Sequence, residues 1–244
     1  MTIDRGSEYK AEWYDDIAAG YYDRVYARGK GIQWFWHHYR FNAVAALIPP
    51  SGTSILDIGC GPGTFLGQFV KRYAQRVGID LAAPQIAFAA RTYGGPDVEF
   101  RQVDLAEINA ANKYDVITSI EVIEHLPMAE TQHFLASVSR ALKPGGTFVL
   151  TTPNYRSLWP LIEWVISKKG PVDYLEQHIN RFHPARLVAE LQKAGFTVDS
   201  RRTFFVIAPF LAAISTRLAE FVYRIEQRLL PSFGTEIVVR ARKQ

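Results

Sequence analysis

Three aspartates recur in the first half of the sequence, Asp57, Asp80 and Asp104, at intervals of 23 and 24 residues. Each sits at the end of a short apolar run. Directly after the first comes the turn Gly59-Cys60-Gly61-Pro62-Gly63-Thr64. Glycines let a backbone bend sharply and approach a ligand closely, and the helix expected from Thr64 would aim its positive N-terminus at that ligand. Asp57 beside such a turn suits an amine. A carboxylate at the end of the next strand, Asp80, can accept hydrogen bonds from two ribose hydroxyls. Asp104 can take an exocyclic amine while Leu105 packs on a base. Together the three read as a nucleoside site. A pyrophosphate-binding G-x-G-x-x-G is not present, because Thr64 stands where the third glycine belongs.

Proton transfer near neutral pH calls for histidine, and six are available. His125 follows a strand-like run at the point where a second reactant should sit. His178 lies in Glu176-Gln177-His178-Ile179-Asn180-Arg181-Phe182. Both are candidate bases. His133 reads as surface, and His37 and His38, within QWFWHHYRF, as lid or packing. No histidine has three partners at metal-ligand spacing, so no metal is expected.

These residues need strands to carry them. Ser54–Ile58, Arg76–Asp80, Val98–Val103, Tyr114–Ile120 and Thr147–Thr152 read as strands. Thr64–Tyr73, Pro84 to about Arg91 and Ala129–Leu142 read as helices, the last closed by Lys143-Pro144-Gly145-Gly146. Pro184–Ala194 is a further helix with Gly195 as its cap, and Thr197–Phe205 and Glu236–Ala241 are two last strands. Alternation of this kind predicts an α/β, Rossmann-like, mostly parallel seven-stranded sheet with helices on both faces and an antiparallel last strand. Ligands bind at the carboxyl ends of such strands, near the switch in strand order.

The chain has 244 residues, 48% of them hydrophobic, and a net charge of +4. That is one ordinary domain with a full core. We divide it into an N-terminal helical lid (1–50), a cofactor-binding core (51–153) and two insertions on the substrate side (154–183 and 204–232). A single cysteine, Cys60, leaves no intramolecular disulfide. The polar, acidic start is no secretory signal, and no apolar run reaches the roughly 18–20 residues of a spanning helix. A cytoplasmic place is expected, with a peripheral one at the inner membrane face left open. Basic residues are scattered, which argues against nucleic acid.

DIGCGPG, Asp80, the Asp104-Leu105 pair, EVIEHL at Glu121–Leu126 and LKPGG at Leu142–Gly146 together resemble the motif series of class I S-adenosylmethionine-dependent methyltransferases. The resemblance covers roughly residues 14–205 and 233–243. It implies that Asp57, Gly59, Cys60, Gly61 and Gly63 line the methionine part of the cofactor. Asp80 and Leu81 would serve the ribose, Asp104 and Leu105 the adenine. Glu121 to His125 would flank the sulfonium and the acceptor. Ala19-Gly20-Tyr21-Tyr22-Asp23 is similar to the A-x-x-Y-D lid of this family, in which the tyrosine, here Tyr22, closes over the cofactor. The stretch around His178 resembles that of the ubiquinone-biosynthesis O-methyltransferase group and related glycan and lipid methyltransferases. The family's nucleic-acid enzymes carry asparagine-proline-proline-aromatic where Glu121-Val122-Ile123-Glu124 stands here.

By this resemblance the expected activity is methyl transfer from S-adenosylmethionine to a small or lipid-associated acceptor, at oxygen. A non-catalytic cofactor-binding partner subunit and an NAD-dependent oxidoreductase are the alternatives. The insertions bear on the acceptor. Ser157–Lys169 is apolar and ends in two lysines. In Phe204–Leu230 the residues Phe210, Ile214, Leu218, Phe221, Ile225 and Leu229 recur at helical steps. Such a face either packs on the domain, pairs two copies, or forms an apolar, basic-rimmed mouth toward a lipid. Monomer and homodimer both stay open.

Overall fold

The computed structural model describes residues 17–50, 52–169 and 174–244. The first sixteen residues of the expected lid lie outside these.

Two helices come first, α1 (Tyr21–Ala27) and α2 (Ile32–Leu47). Then strands and helices alternate: β1 (Ser54–Ile58), α3 (Thr64–Gln68), β2 (Gln75–Asp80), α4 (Ala83–Tyr93), β3 (Val98–Gln102), β4 (Tyr114–Ile120), α5 (Met128–Ala141) and β5 (Leu142–Pro153). After them come α6 (Trp159–Lys169), α7 (Tyr174–Gln177), α8 (Pro184–Lys193), β6 (Phe196–Phe204), α9 (Ala208–Leu211), α10 (Thr216–Leu229) and β7 (Glu236–Lys243). The sheet runs β3-β2-β1-β4-β5-β7-β6. β1 pairs in parallel with both β2 and β4, while β7 is antiparallel to β5 and β6. Strand order therefore reverses beside β1, and the carboxyl ends of β1, β2 and β4 open on one crevice.

All five residues of β1 are buried, as a central parallel strand with both faces covered must be. Leu56 and Ile58 face one core with Ile117, Phe148, Phe134 of α5 and Leu187 of α8. Ile55 faces the other with Val116, Val149, Phe35 and Val44 of α2 and Leu66 of α3. Local chemistry starts the helices: Pro84 sits in the first turn of α4, and Ser215 caps α10 by accepting the Leu218 N–H at 3.3 Å.

Boundaries differ from expectation by more than two residues in three places. α3 ends at Gln68 rather than Tyr73, whose ring is buried and whose hydroxyl donates to the Pro49 carbonyl at 2.7 Å. β5 starts at Leu142, because the Lys-Pro-Gly-Gly segment is absorbed into the strand, with a register shift between Tyr114 and Val116. The 204–230 insertion is two helices, broken where Ser215 restarts the chain. No helix among the described residues is long and apolar enough to cross a membrane.

Candidate functional site

A cleft of about 730 Å³ opens over the carboxyl ends of β1, β2 and β4, within the ordinary range for a small-molecule site. Its floor is the glycine turn. The N–H groups of Gly59 and Cys60 both donate to the Ile79 carbonyl, at 2.8 and 3.0 Å, which ties the turn to β2. Gly59 has φ 72°, and an added Cβ would lie 2.4 Å from Val122. Gly63 has φ 77°, with Phe100 2.7 Å from the same imagined atom. Only glycine fits either position.

Asp57 is buried beneath the turn, where the Thr118 hydroxyl donates to it at 2.6 Å. Burial pushes its carboxyl up to about 7, Thr118 pulls it back, and the charge of Asp80 adds to the rise. Asp57 has no cationic partner among the described residues, so an incoming ammonium could pair with its carboxylate. Asp80 spans the turn. One oxygen accepts the Gly61 N–H at 2.8 Å and the other the Ala82 N–H at 2.9 Å. Burial also raises this carboxyl. Each oxygen keeps a second lone pair for a ligand hydroxyl.

Tyr22, Asp57, Gly59, Cys60, Gly61, Asp80, Glu121, His125 and His178 all line this cleft, as the sequence-based reading expects. Four expected residues are not in its lining: Gly63, Leu81, Asp104 and Leu105. Gly63 instead caps α3. β3 is an edge strand ending at Gln102, and the chain then makes a short 3-10 turn, Leu105–Glu107. That turn packs Leu105 on the core and leaves Asp104 exposed.

The lid segment is held by side chains whose partners lie far along the chain. Gln85 accepts the Gly20 N–H at 3.0 Å and donates to the Ile17 carbonyl at 3.0 Å. Asp23 accepts from Thr64 at 2.8 Å and from Tyr93 at 2.5 Å. Tyr22 is thereby set over the cleft, hydrogen-bonded to Tyr174 and edge-on to His37 at 5.2 Å. His37 is a cleft residue too, and burial drops its pKa to about 3.

At the far wall, Glu121 has φ 57°, a strained value for a side-chain-bearing residue. Its carboxylate accepts from Thr151 at 2.7 Å and lies 3.4 Å from Arg40. Arg40 also binds Glu236 of β7 through two nitrogens, and the Trp36 indole N–H donates to the same carboxylate. Burial raises Glu121 to about 7 against the pull of Arg40.

The two candidate bases meet here, with ring centroids 5.0 Å apart. His125 Nδ1 lies 3.1 Å from the Gln177 carbonyl. A carbonyl can only accept, so Nδ1 carries the hydrogen and Nε2 is the basic nitrogen. Burial and neighbouring His178 drop His125 to about 3, which keeps it neutral. His178 Nδ1 lies 2.5 Å from Glu163 and 3.2 Å from the Tyr155 hydroxyl, leaving its Nε2 for chemistry. The Tyr155 hydroxyl donates to the same Glu163 oxygen at 2.5 Å. Glu163 itself, a lone acid in the apolar run of α6, is 1% exposed.

Ligand atoms of Glu124, His125 and His178 also come within 4.8 Å of one another. Each histidine thus has two potential ligand partners rather than three, the fold bringing residues 124–125 and 178 together. Glu124 Oε2 accepts from Thr152 at 2.9 Å, while Oε1 is buried without a hydrogen-bond partner among the described residues.

Sequence comparison agrees with this geometry. Residues 35–201 match the family model described as a methyltransferase domain. A ubiquinone biosynthesis O-methyltransferase of Xanthomonas axonopodis pv. citri is 32% identical over 169 residues, covering 66% of this chain and 69% of that one. The enzyme of the same name from Bradyrhizobium sp. is 36% identical over 107 residues, 43% of this chain and 41% of that one. The chain thus spans between about two fifths and two thirds of these relatives. Among solved structures, an S-adenosylmethionine-dependent methyltransferase from Mesorhizobium loti aligns over 83% of this chain and 96% of its own, with TM-score 0.62 and 20% identity. The 1,6-didemethyltoxoflavin-N1-methyltransferase of Burkholderia thailandensis, with bound S-adenosylhomocysteine, aligns over 84% and 78% with TM-score 0.59 and 17% identity. At such identities the likeness is one of fold. With more than half of its length matched by the family model and its glycine turn and strand-end carboxylates around one cleft, the chain belongs to the class I S-adenosylmethionine-dependent methyltransferases.

Proposed function

We propose that this protein moves the methyl group of S-adenosylmethionine to an oxygen of an apolar or aromatic acceptor, with His178 as general base. The observation that carries the proposal is the buried Glu163 carboxylate on Nδ1 of His178, whose ring lines the cleft that Asp57 and Asp80 also line. When bound, the cofactor supplies an electrophilic methyl on a positively charged sulfur.

The chain's residues do the rest. Asp57 meets the ammonium group and Asp80 the ribose hydroxyls. Tyr22 covers the donor and excludes water. Trp36, Trp159, Ile162, Ile166 and Phe210 form the apolar wall against which an acceptor would rest. Holding two reactants in line supplies several kcal/mol of the barrier. A hydroxyl acceptor holds its proton at neutral pH, so a base raises the rate. His178 Nε2 takes that proton, and the Glu163 carboxylate on Nδ1 steadies the resulting imidazolium. That the relatives are named O-methyltransferases supports oxygen as the target.

The test uses methyl-labelled cofactor with phenols bearing alkyl chains of increasing length. His178→Ala should lower kcat by about 100- to 10,000-fold, the usual worth of a positioned base, while cofactor Kd barely moves. Glu163→Gln should lower kcat less. Label on nitrogen or carbon, or parental turnover in His178→Ala, would sink this reading. Activity abolished by a chelator and restored by a divalent cation would reassign Glu124, His125 and His178 to metal binding.

A further inference from the structure

Helix α10 packs on the core through Ala219, Val222 and Tyr223 but leaves a second apolar face open. Its buried positions are Ala219 and the carboxylate Glu226. Leu218, Phe221, Ile225 and Leu229 point to solvent, Phe221 at 62% and Leu229 at 72% exposure, and Ile214 just before the helix stands at 80%. A large apolar patch left open marks an interaction surface.

Further exposed apolar side chains stand on α6: Leu161, Trp164 and Val165. Trp36 joins the two regions, its ring centroid 5.9 Å from Trp159 and 6.0 Å from Phe210. Ile162 and Ile166 of α6 and Phe210 of α9 line the cleft, so the outer patch runs into the mouth of the site.

Charge is sorted across these same helices. Arg217, Arg224 and Arg228 are exposed, each one position before an outward Leu218, Ile225 or Leu229. Lys168 lies over the Trp164 ring at 4.0 Å. The acids turn inward: Glu163 binds His178, Glu226 accepts three backbone N–H groups at the start of α9, and Glu220 is hydrogen-bonded to Tyr39. The outer face is therefore apolar and cationic, with no exposed acid among the described residues of α6, α9 and α10.

We propose that this face docks on an anionic lipid bilayer, with α10 lying in the headgroup plane and the cleft mouth turned toward the lipid. A second copy of the same face would be a poor partner, because two-fold pairing sets like surface on like and brings arginines against arginines with no acid to answer them. A bilayer carrying negative headgroups supplies both an apolar interior and opposite charge. Ten or so ångströms of acyl boundary suffice for side chains such as Phe221 and Leu229 to insert. The docking does not depend on the base assignment, and its test reads no turnover.

The test is cosedimentation of the whole protein with phosphatidylcholine vesicles and with vesicles of equal parts phosphatidylcholine and phosphatidylglycerol. Binding should be strong on the anionic vesicles, weak on the neutral ones, and reduced by salt. Replacing the three arginines together (Arg217→Gln, Arg224→Gln, Arg228→Gln) should weaken it about a hundredfold, as expected for three cations near an anionic surface. Phe221→Ser with Leu229→Ser should abolish it, leaving melting temperature and cofactor Kd as in the parent. Absent or equal binding to the two vesicle types overturns the proposal. So does a concentration-dependent dimer in light scattering that Phe221→Ser dissolves, since the face would then belong to a second copy.

Discussion

A carboxylic acid held near 7 by burial is a proton store, and Asp57 is one. Its folded value is raised above the ordinary one near 4, so its contribution to stability is fully present below about pH 4 and lost as pH rises through about 7. A cofactor ammonium against it would favour the charged form and expel the proton. Cofactor affinity should therefore rise with pH up to about 7 and flatten above it. Calorimetry at pH 6 in buffers of different ionisation enthalpy should show proton release, which Asp57→Asn should lose. A pH-independent Kd would remove Asp57 from that role. Asp80→Ala should weaken binding by about 1–3 kcal/mol, since it loses the ribose bonds and also loosens the turn at Gly61. Equilibrium dialysis measures this.

These two aspartates were legible in the sequence because a glycine turn and strand-end spacing are local signals. Asp104 shares their spacing, but it is exposed after the edge strand β3 and is not among the residues that line the cleft. Glu163 was illegible for the opposite reason. Its partner His178 lies 15 residues on, across a helix boundary that no periodicity reveals.

Among the elements, one side chain ties α10 to the start of α9. Glu226 accepts the N–H groups of Val206, Ile207 and Ala208 at 3.1, 2.7 and 2.9 Å. Those donors have no partner inside so short a helix. Glu226→Ala would orphan them and should cost about 2–4 kcal/mol, hydrogen bonds to a charged group being worth about 1.5–3 each and not additive. Thermal unfolding should show a lower melting temperature, whereas Arg228→Gln on the exposed side of the same helix should leave it within error. The helical spacing of Ile214 to Leu229 was visible in sequence, but periodicity says only that an apolar face exists. Which way it turns depends on Glu226 pulling the other face inward, a contact between segments 18 to 20 residues apart.

For the molecule as a whole, the strand alternation and turn residues were enough to predict the sheet and its antiparallel last strand. The lid was visible through the likeness of Ala19–Asp23 to the family's lid, but its anchorage was not, since Gln85 and Asp23 tie it down across 65 and 41 residues. Because the cofactor would bridge lid and sheet, ligand binding should report on global stability. At a hundredfold excess over Kd the cofactor should add about 2.7 kcal/mol, seen as a rise in melting temperature of about 5–10 °C for a chain of this size. Gln85→Ala should shrink that rise by freeing Gly20 from α4. An undiminished rise in Gln85→Ala would separate the lid from the ligand.

β7 lies between β5 and β6, although it follows both in the chain. During synthesis every other strand is therefore made while the central flank of the sheet is unfilled. Until β7 arrives, β5 keeps an open edge carrying Phe148, Val149 and Leu150, a template for pairing with another nascent chain. Glu236, which holds Arg40 and Trp36 in the cleft wall, is also the first residue of that strand. The glycine turn and strand-end aspartates thus emerge from the ribosome long before the wall opposite them can close. A chaperone that guards the unfinished sheet would act in the interval between β5 and β7.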